Sequence, residues 1–244
     1  MLVVFVDRTD AAKQLAEKLL WLKDTVQELR KYYYNGDDDD NPLVILAIPR
    51  GGVVIGDVLS NRLGAKLDLV VSRKIGAPSD PELAIGAVMP DGTCFLNASR
   101  IEALQVPQQY IAAQTQEQMK EIDRRLVSYR GRRGYNNELE DKIVVLVDDG
   151  IATGSTIYAA AQWVKAHKCS QLVIAVPVGP KETIEKLKKV ADMVIVIDAP
   201  MSFQAVGEFY QDFRQVTDDE VKTIMLRHGY KPADYRENSQ NEKS

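Results

Sequence analysis

With only two cysteines and two histidines in 244 residues, the chain has little from which to build a metal centre or a nucleophilic triad. Cys94 and Cys169 lack the close spacing of zinc ligands and read as reduced, structural thiols. His167 and His228 are too scattered to form a recognisable cluster. An excess of positive charge is also missing: the formal net charge is −4, which gives no electrostatic footprint for a nucleic acid. No apolar run approaches the roughly 20 residues needed to cross a bilayer, and Leu2 to Val6 is far too short for the core of a signal peptide. These absences exclude a membrane partner and lead us to expect a cytoplasmic protein. No internal repeat is visible. The one low-complexity tract, Asp37 to Asp40 after Asn35-Gly36, reads most simply as a solvated connection, with metal binding as its alternative. What is abundant is apolar residue, at 45% of the chain, enough for a full single-domain core.

The most informative stretch is Val144-Val-Leu-Val-Asp-Asp-Gly-Ile-Ala-Thr-Gly-Ser-Thr156. Val144 to Val147 are apolar without alternation, as in a parallel strand covered on both faces. Asp148 and Asp149 then stand at its carboxyl end, where open α/β sheets bind ligands. The following Ala152-Thr-Gly-Ser-Thr156 leads into Ile157 to Val164, which reads as a helix, so the loop forms a helix N-terminus. First-turn amides have no intrahelical partners and carry the positive end of the helix dipole, which suits a phosphate. Gly154 permits close backbone approach, and Thr153, Ser155 and Thr156 add hydroxyl donors. Two ionised carboxylates beside them can accept hydrogen bonds from a vicinal diol or help to hold a divalent cation. Together these features imply a ribose 5-phosphate. The alternative is a turn in which the two acids merely cap the helix.

Two more strand-to-loop junctions follow the same logic. Leu43 to Ile48 is a continuous apolar run closed by Pro49-Arg-Gly-Gly52, with a helix over Val53 to Leu63. Gly51 and Gly52 free the backbone for positive φ and close approach, while Arg50 offers a fork of donors matched to phosphate oxygens. Such a loop can hold pyrophosphate, or it can be a plain tight turn with a solvated arginine. Leu67 to Val71 reads as a strand followed by Ser72-Arg-Lys-Ile-Gly-Ala-Pro78, which places Arg73 and Lys74 at the same sheet edge or leaves them as an ordinary solvated pair.

Asp148-Asp-Gly-Ile-Ala-Thr-Gly-Ser-Thr156 resembles the phosphoribosyl pyrophosphate (PRPP) signature of the type I phosphoribosyltransferases: a hydrophobic run, two acids, two mostly apolar positions, a variable residue, Thr-Gly and a final Ser or Thr. The resemblance implies that Asp148 and Asp149 contact the ribose hydroxyls, that Thr153 to Thr156 wrap the 5-phosphate with Gly150 and Ala152 also in the substrate site, and that Arg50, Gly51 and Gly52 take the pyrophosphate. It implies Mg²⁺, with Asp148 and Asp149 as candidate ligands. Arg73 and Lys74 match an Arg-Lys pair near the pyrophosphate in orotate and adenine members, with Lys74 the better candidate for catalysis alongside Asp149. Glu82 matches an acid of the mobile loop near the base nitrogen, or is an exposed loop carboxylate. Ala152 departs from the 6-oxopurine members, which usually carry Asp there, whereas adenine-type members tolerate Ala. Across its length the chain is similar to incompletely characterised phosphoribosyltransferases of bacteria and archaea. The implied reaction moves ribose 5-phosphate from PRPP to a nitrogenous acceptor, usually a nucleobase. A PRPP-sensing regulator and a ribose-phosphate hydrolase are the alternatives. Acceptor and oligomeric state stay open, a homodimer among the possibilities.

The resemblance implies an α/β fold with a central, mainly parallel sheet flanked by helices, a small hood and a flexible hairpin loop. On this expectation residues 1–230 are a single domain with its core over about 42–200, a helical insertion over about 99–135, a hood from 1–10 and 198–230, and a flexible tail over 231–244. Leu2 to Val6 is read as a short strand. Leu15, Leu19, Leu22, Val26 and Leu29 mark one amphipathic helix after Asp10 as N-cap. The alternation over Asp80 to Met89, the turn Pro90-Asp-Gly92 and Thr93 to Leu96 predict a hairpin. Pro107, read as N1, opens a long helix with Met119, Ile122, Leu126 and Tyr129 on one face. Its basic end carries Arg124, Arg125, Arg130, Arg132 and Arg133, read either as dipole complement or as arginines that close over PRPP. Gln171 to Val176 and Asp192 to Ile197 complete the strands, with a helix over Lys181 to Val190 between them. Phe203, in the hood region, is a candidate to stack on the acceptor base, or is core. Thr217 to Glu220 is a capping box opening a last helix through about Arg227.

Overall fold

A computed structural model describes residues 4–33, 41–135 and 138–233. The apolar runs become a five-stranded sheet in the order β2-β1-β6-β7-β8. Its strands are β1 (Leu43–Ala47), β2 (Lys66–Leu69), β6 (Ile143–Val147), β7 (Gln171–Val178) and β8 (Met193–Asp198), and all four pairings are parallel. β1 and β6 are buried at every position, which is why neither alternates in sequence.

Helices supply the crossovers: α3 (Gly51–Leu63) links β1 to β2, α6 (Ser155–Ala166) links β6 to β7, and α7 (Lys181–Leu187) links β7 to β8. From β1 the chain steps outward to β2, while from β6 it steps the other way to β7 and β8. The order therefore reverses between β1 and β6. With right-handed crossovers, α3 and α6 fall on opposite faces and leave a crevice between the carboxyl ends of these two strands. Register makes the two ends level: Ala47 pairs with Val147, and Ile48 N–H donates to Val147 O at 2.9 Å.

The amino-terminal helix differs from its sequence reading. It is split into α1 (Arg8–Glu17) and α2 (Leu20–Tyr33), and the N-cap is Asp7, whose side chain accepts from Asp10 N–H. Leu15, Leu19 and Leu22 remain fully buried across the break. Short-range bonds from Leu19 N–H to Ala16 O and from Leu22 N–H to Leu19 O keep the apolar face continuous, so spacing alone could not reveal the interruption.

The predicted hairpin has a third strand. β3 (Arg73–Ala77), β4 (Asp80–Val88) and β5 (Cys94–Leu96) form a separate antiparallel sheet. The turn at Pro90 to Gly92 is as expected, with Gly92 at φ 83°. Arg73 and Lys74 thus belong to this second sheet and not to a loop at the edge of the first. β3 carries no continuous apolar run, and its burial is irregular, so it gave no strand signal.

After the short α4 (Ala98–Ala103), the long α5 spans Gln108–Arg130, with Pro107 at the N-cap and not at N1. Its carboxyl end is tied to β2 by a buried ion pair. Arg130 Nε and Nη2 donate to the two oxygens of Asp68 at 2.8 and 2.7 Å, and Nη1 donates to Gly134 O at 2.6 Å. Tyr135 and Tyr230 donate to Leu69 O and Leu67 O of the same strand.

At the top of the sheet, the amino-terminal strip lies along residues 209–212. Phe5 N–H donates to Phe209 O, Gln211 N–H to Phe5 O and Asp212 N–H to Val6 O. A single parallel bridge, Phe5 to Tyr210, replaces the expected strand over Leu2 to Val6, whose first two residues lie outside the described ones. The acidic run Asp37 to Asp40 also lies outside them, as does most of the expected tail. The last helix, α8 (Asp218–Arg227), opens with the complete Thr217/Glu220 capping box. No helix among the described residues is long and apolar enough to cross a membrane.

Candidate functional site

At the crevice, the loop after β6 carries Asp148 and Asp149 and then starts α6. The N-cap of α6 is Gly154, at φ 76°, and no side chain caps the helix. This removes the reading in which the two acids serve as caps. The first-turn amides are left to solvent or to a ligand. Thr153, Ser155 and Thr156 are exposed around them, with the Thr153 and Ser155 hydroxyls 3.3 Å apart. Gly154 is required twice over: by its positive φ, and because a Cβ would stand 2.4 Å from Thr183 Cγ2.

Gly51 and Gly52 bring the loop after β1 against these acids. A Cβ on Gly52 would lie 2.9 Å from Val147 O and 3.0 Å from Asp148 Cα, and one on Gly51 would overlap Asp149 Oδ2 at 1.8 Å. Close approach is thus the reason for both glycines. Positive φ, the other expected reason, is found at neither. The Pro49–Arg50 peptide is cis.

Asp149 is engaged on three sides. Arg8 Nε donates to its Oδ2 at 2.6 Å, its backbone N–H donates to Asp148 Oδ1 at 2.8 Å, and Tyr210 OH donates to its carbonyl at 2.6 Å. Loss of water and then the neighbouring Asp149 charge push Asp148 well above the usual carboxylate range. Loss of water also raises Asp149, against the opposing pull of Arg8. A cation or a set of hydroxyl donors brought to this pair would favour its ionised form.

The other sequence candidates are more dispersed. Arg50 Nη1 reaches Asp218 Oδ1 at 3.3 Å, an oxygen that also accepts from Tyr129 OH at 2.7 Å. Arg73 Nε donates to Gln118 of α5 at 3.0 Å. Lys74 Nζ and Glu82 Oε2 pair with each other at 3.0 Å across β3 and β4, with Glu82 almost wholly exposed. Phe203 stacks on Phe209, ring centroids 5.5 Å apart. The basic end of α5 and the two arginines just beyond it are used internally: Arg130 holds Asp68, Arg132 holds Glu138, Arg133 holds Asp123, and Arg124 and Arg125 clasp Glu121. Arg130 is fully buried against Asp68, a structural role that neither alternative, solvated dipole complement or closure over PRPP, describes. Sequence reasoning missed Arg8, whose partner is 141 residues away.

Between the hairpin and α6 lies a cleft of about 600 Å³, with Phe95, Leu96, Arg100, Thr153, Ser155 and Tyr158 on its walls. Its size suits a small-molecule ligand.

The family model described as phosphoribosyl transferase domain matches residues 17–212, which covers both loops of the crevice. The chain belongs to the phosphoribosyl transferase family. Mycobacterium tuberculosis proteins of two strains, provisionally named phosphoribosyl transferases, are 37% identical over 225 residues, or 92% of this chain. That match spans 47% of the relatives, so this chain covers about half their length. The crystal structure of TT1426 from Thermus thermophilus is 37% identical and superposes with a TM-score of 0.73, covering 92% of this chain and 98% of that one. The family assignment and the parallel sheet agree with the resemblance to the type I phosphoribosyltransferases.

Proposed function

We propose that this protein transfers ribose 5-phosphate from PRPP to a nitrogenous acceptor, most simply a nucleobase, and releases pyrophosphate. One observation carries the reading: the uncapped amino end of α6, the Asp148-Asp149 pair and the Gly51-Gly52 loop converge on one crevice at the switch point of the sheet. In this reading Thr153 to Thr156 and the first amides of α6 hold the 5-phosphate, Asp148 and Asp149 receive the ribose hydroxyls, and the Pro49 to Gly52 loop receives the pyrophosphate with Arg50 nearby. Lys74, Arg73 and Glu82 are the residues the hairpin would bring to the reacting end, and Phe203 is the candidate to face the base.

Among the described residues no group of three or more His, Cys, Asp or Glu could cage a metal. The two adjacent carboxylates still fit Mg²⁺ in its usual manner, in which one or two protein carboxylates complement phosphate oxygens and water. Asp148 and Asp149 would hold the ion, which would neutralise charge on departing pyrophosphate. The protein's own contribution is to fix the sugar phosphate at both ends and to aim donors at the leaving group.

The test is incubation with PRPP, Mg²⁺ and a panel of purines, pyrimidines and small amines, with pyrophosphate and nucleotide measured. Acceptor-dependent pyrophosphate release is the expected result. Saturable binding without release would replace transfer by sensing, and acceptor-free release would replace it by hydrolysis.

A further inference from the structure

Arg8 belongs to neither of the crevice loops, yet it is fixed at their junction. It is the first residue of α1, placed by the Asp7 N-cap. Its Nε donates to Asp149 Oδ2 at 2.6 Å, and its Nη1 donates to Arg214 O at 2.8 Å. The guanidinium carbon stands 4.0 Å from the centroid of the Phe213 ring. The two side chains of the pair are only 10% and 15% exposed. Gly51 closes the remaining side, since a Cβ there would lie 3.0 Å from Arg8 Nε. An exposed ion pair can sample many geometries. This one is held by a charge-assisted hydrogen bond, a carbonyl acceptor and an aromatic face at once.

We propose that Arg8 is a positioning residue for the sugar site. By occupying Oδ2, it fixes the plane of the Asp149 carboxylate and presents Oδ1 to a ribose hydroxyl in a single orientation. Through Arg214 O and Phe213 it also couples the segment after Tyr210 to the signature loop, so that the top of the site and the ribose subsite are ordered together. The role rests on the reading of Asp149 as the hydroxyl acceptor. It predicts that Arg8 acts on sugar recognition through Asp149, and not on pyrophosphate.

The experiment compares the full chain with Arg8→Met, Arg8→Lys, Asp149→Asn and the double variant Arg8→Met/Asp149→Asn. Each is titrated with PRPP, ribose 5-phosphate and inorganic pyrophosphate, and folding is checked by circular dichroism. Arg8→Met should weaken PRPP and ribose 5-phosphate by about 10- to 100-fold, as expected for the loss of a group that orients a ligand-contacting side chain. Pyrophosphate affinity should change by less than about twofold, and Arg8→Met should add little once Asp149 is already Asn. Arg8→Lys keeps the charge without the planar fork and should fall between Met and wild type. If Arg8→Met does not fold, Arg8→Lys carries the test. Wild-type affinity for the sugar phosphates in Arg8→Met, or in Arg8→Lys where only that variant folds, overturns the proposal. So does an undiminished loss in the Asn background, or a loss confined to pyrophosphate. Failure of the wild type itself to bind PRPP would instead reject the functional reading.

Discussion

Arg130→Met removes the cation that Asp68 faces while keeping most of the side-chain length. Asp68 is 1% exposed, and its oxygens accept from Arg130 and from the Leu69 N–H at 2.7 Å. Burial pushes Asp68 up to about 6 even with Arg130 beside it, and without the guanidinium its folded value must rise further. A carboxyl raised in this way contributes stability that is fully present below its ordinary value of 3.8 and is lost as pH climbs through the folded value. The variant should therefore be least impaired in mild acid, where Asp68 is neutral, and increasingly impaired towards neutrality, where a charge is buried without a partner. The expected loss near neutral pH is about 3–5 kcal/mol, the usual effect of breaking a buried pair from one side. Against a total of about 5–15 kcal/mol for a folded domain, that is a large fraction. Urea unfolding followed by circular dichroism at about pH 5 and about pH 8 measures both the size and the pH dependence. Asp68→Asn in the Arg130→Met background should restore most of the loss, because it removes the unpaired charge. A neutral-pH loss under about 1 kcal/mol, or one independent of pH, would refute the reasoning.

Gly51→Ala should displace the Asp149 carboxylate, which a Cβ would overlap at 1.8 Å, and so reduce PRPP affinity measured by calorimetry by about tenfold or more, as when a charged hydrogen bond is lost. Gly154→Ala should lower stability in urea by about 1–2 kcal/mol, since the position sits at φ 76° and a Cβ would press on Thr183. Lys74→Met and Glu82→Gln break an exposed pair and should each change stability by less than about 1 kcal/mol. Under the proposed role of the hairpin, steady-state kinetics should show Lys74→Met lowering kcat while the unfolding curve stays in place.

The central strands and the signature were legible because their causes are local. Ile143 to Val147 are apolar at every position since both faces of the strand are covered, and Asp148 to Thr156 carries its chemistry within nine consecutive residues. The Thr217/Glu220 box was legible for the same reason. Arg8 was not, because its place at the crevice depends on a contact 141 residues away and its neighbours show only a helix start. Asp68 sits inside an apolar run that predicts a strand equally well with or without it, so nothing local reports its partner on α5. β3 was hidden because pairing with β4, and not its own hydrophobicity, makes it a strand. The two glycines after β1 were read correctly as places of close approach, but what approaches them is the signature acid itself.

The central claim is that Asp148 to Thr156 and Pro49 to Gly52 form one PRPP site. Calorimetric titration of the full chain with PRPP in the presence of Mg²⁺, beside the Asp149→Asn variant, tests it most directly. The account predicts saturable binding by the wild type and a loss of about 10- to 100-fold in the variant, the effect of one hydrogen bond to a charged group. Equal PRPP affinity in the two proteins, or no binding by the wild type, would contradict it.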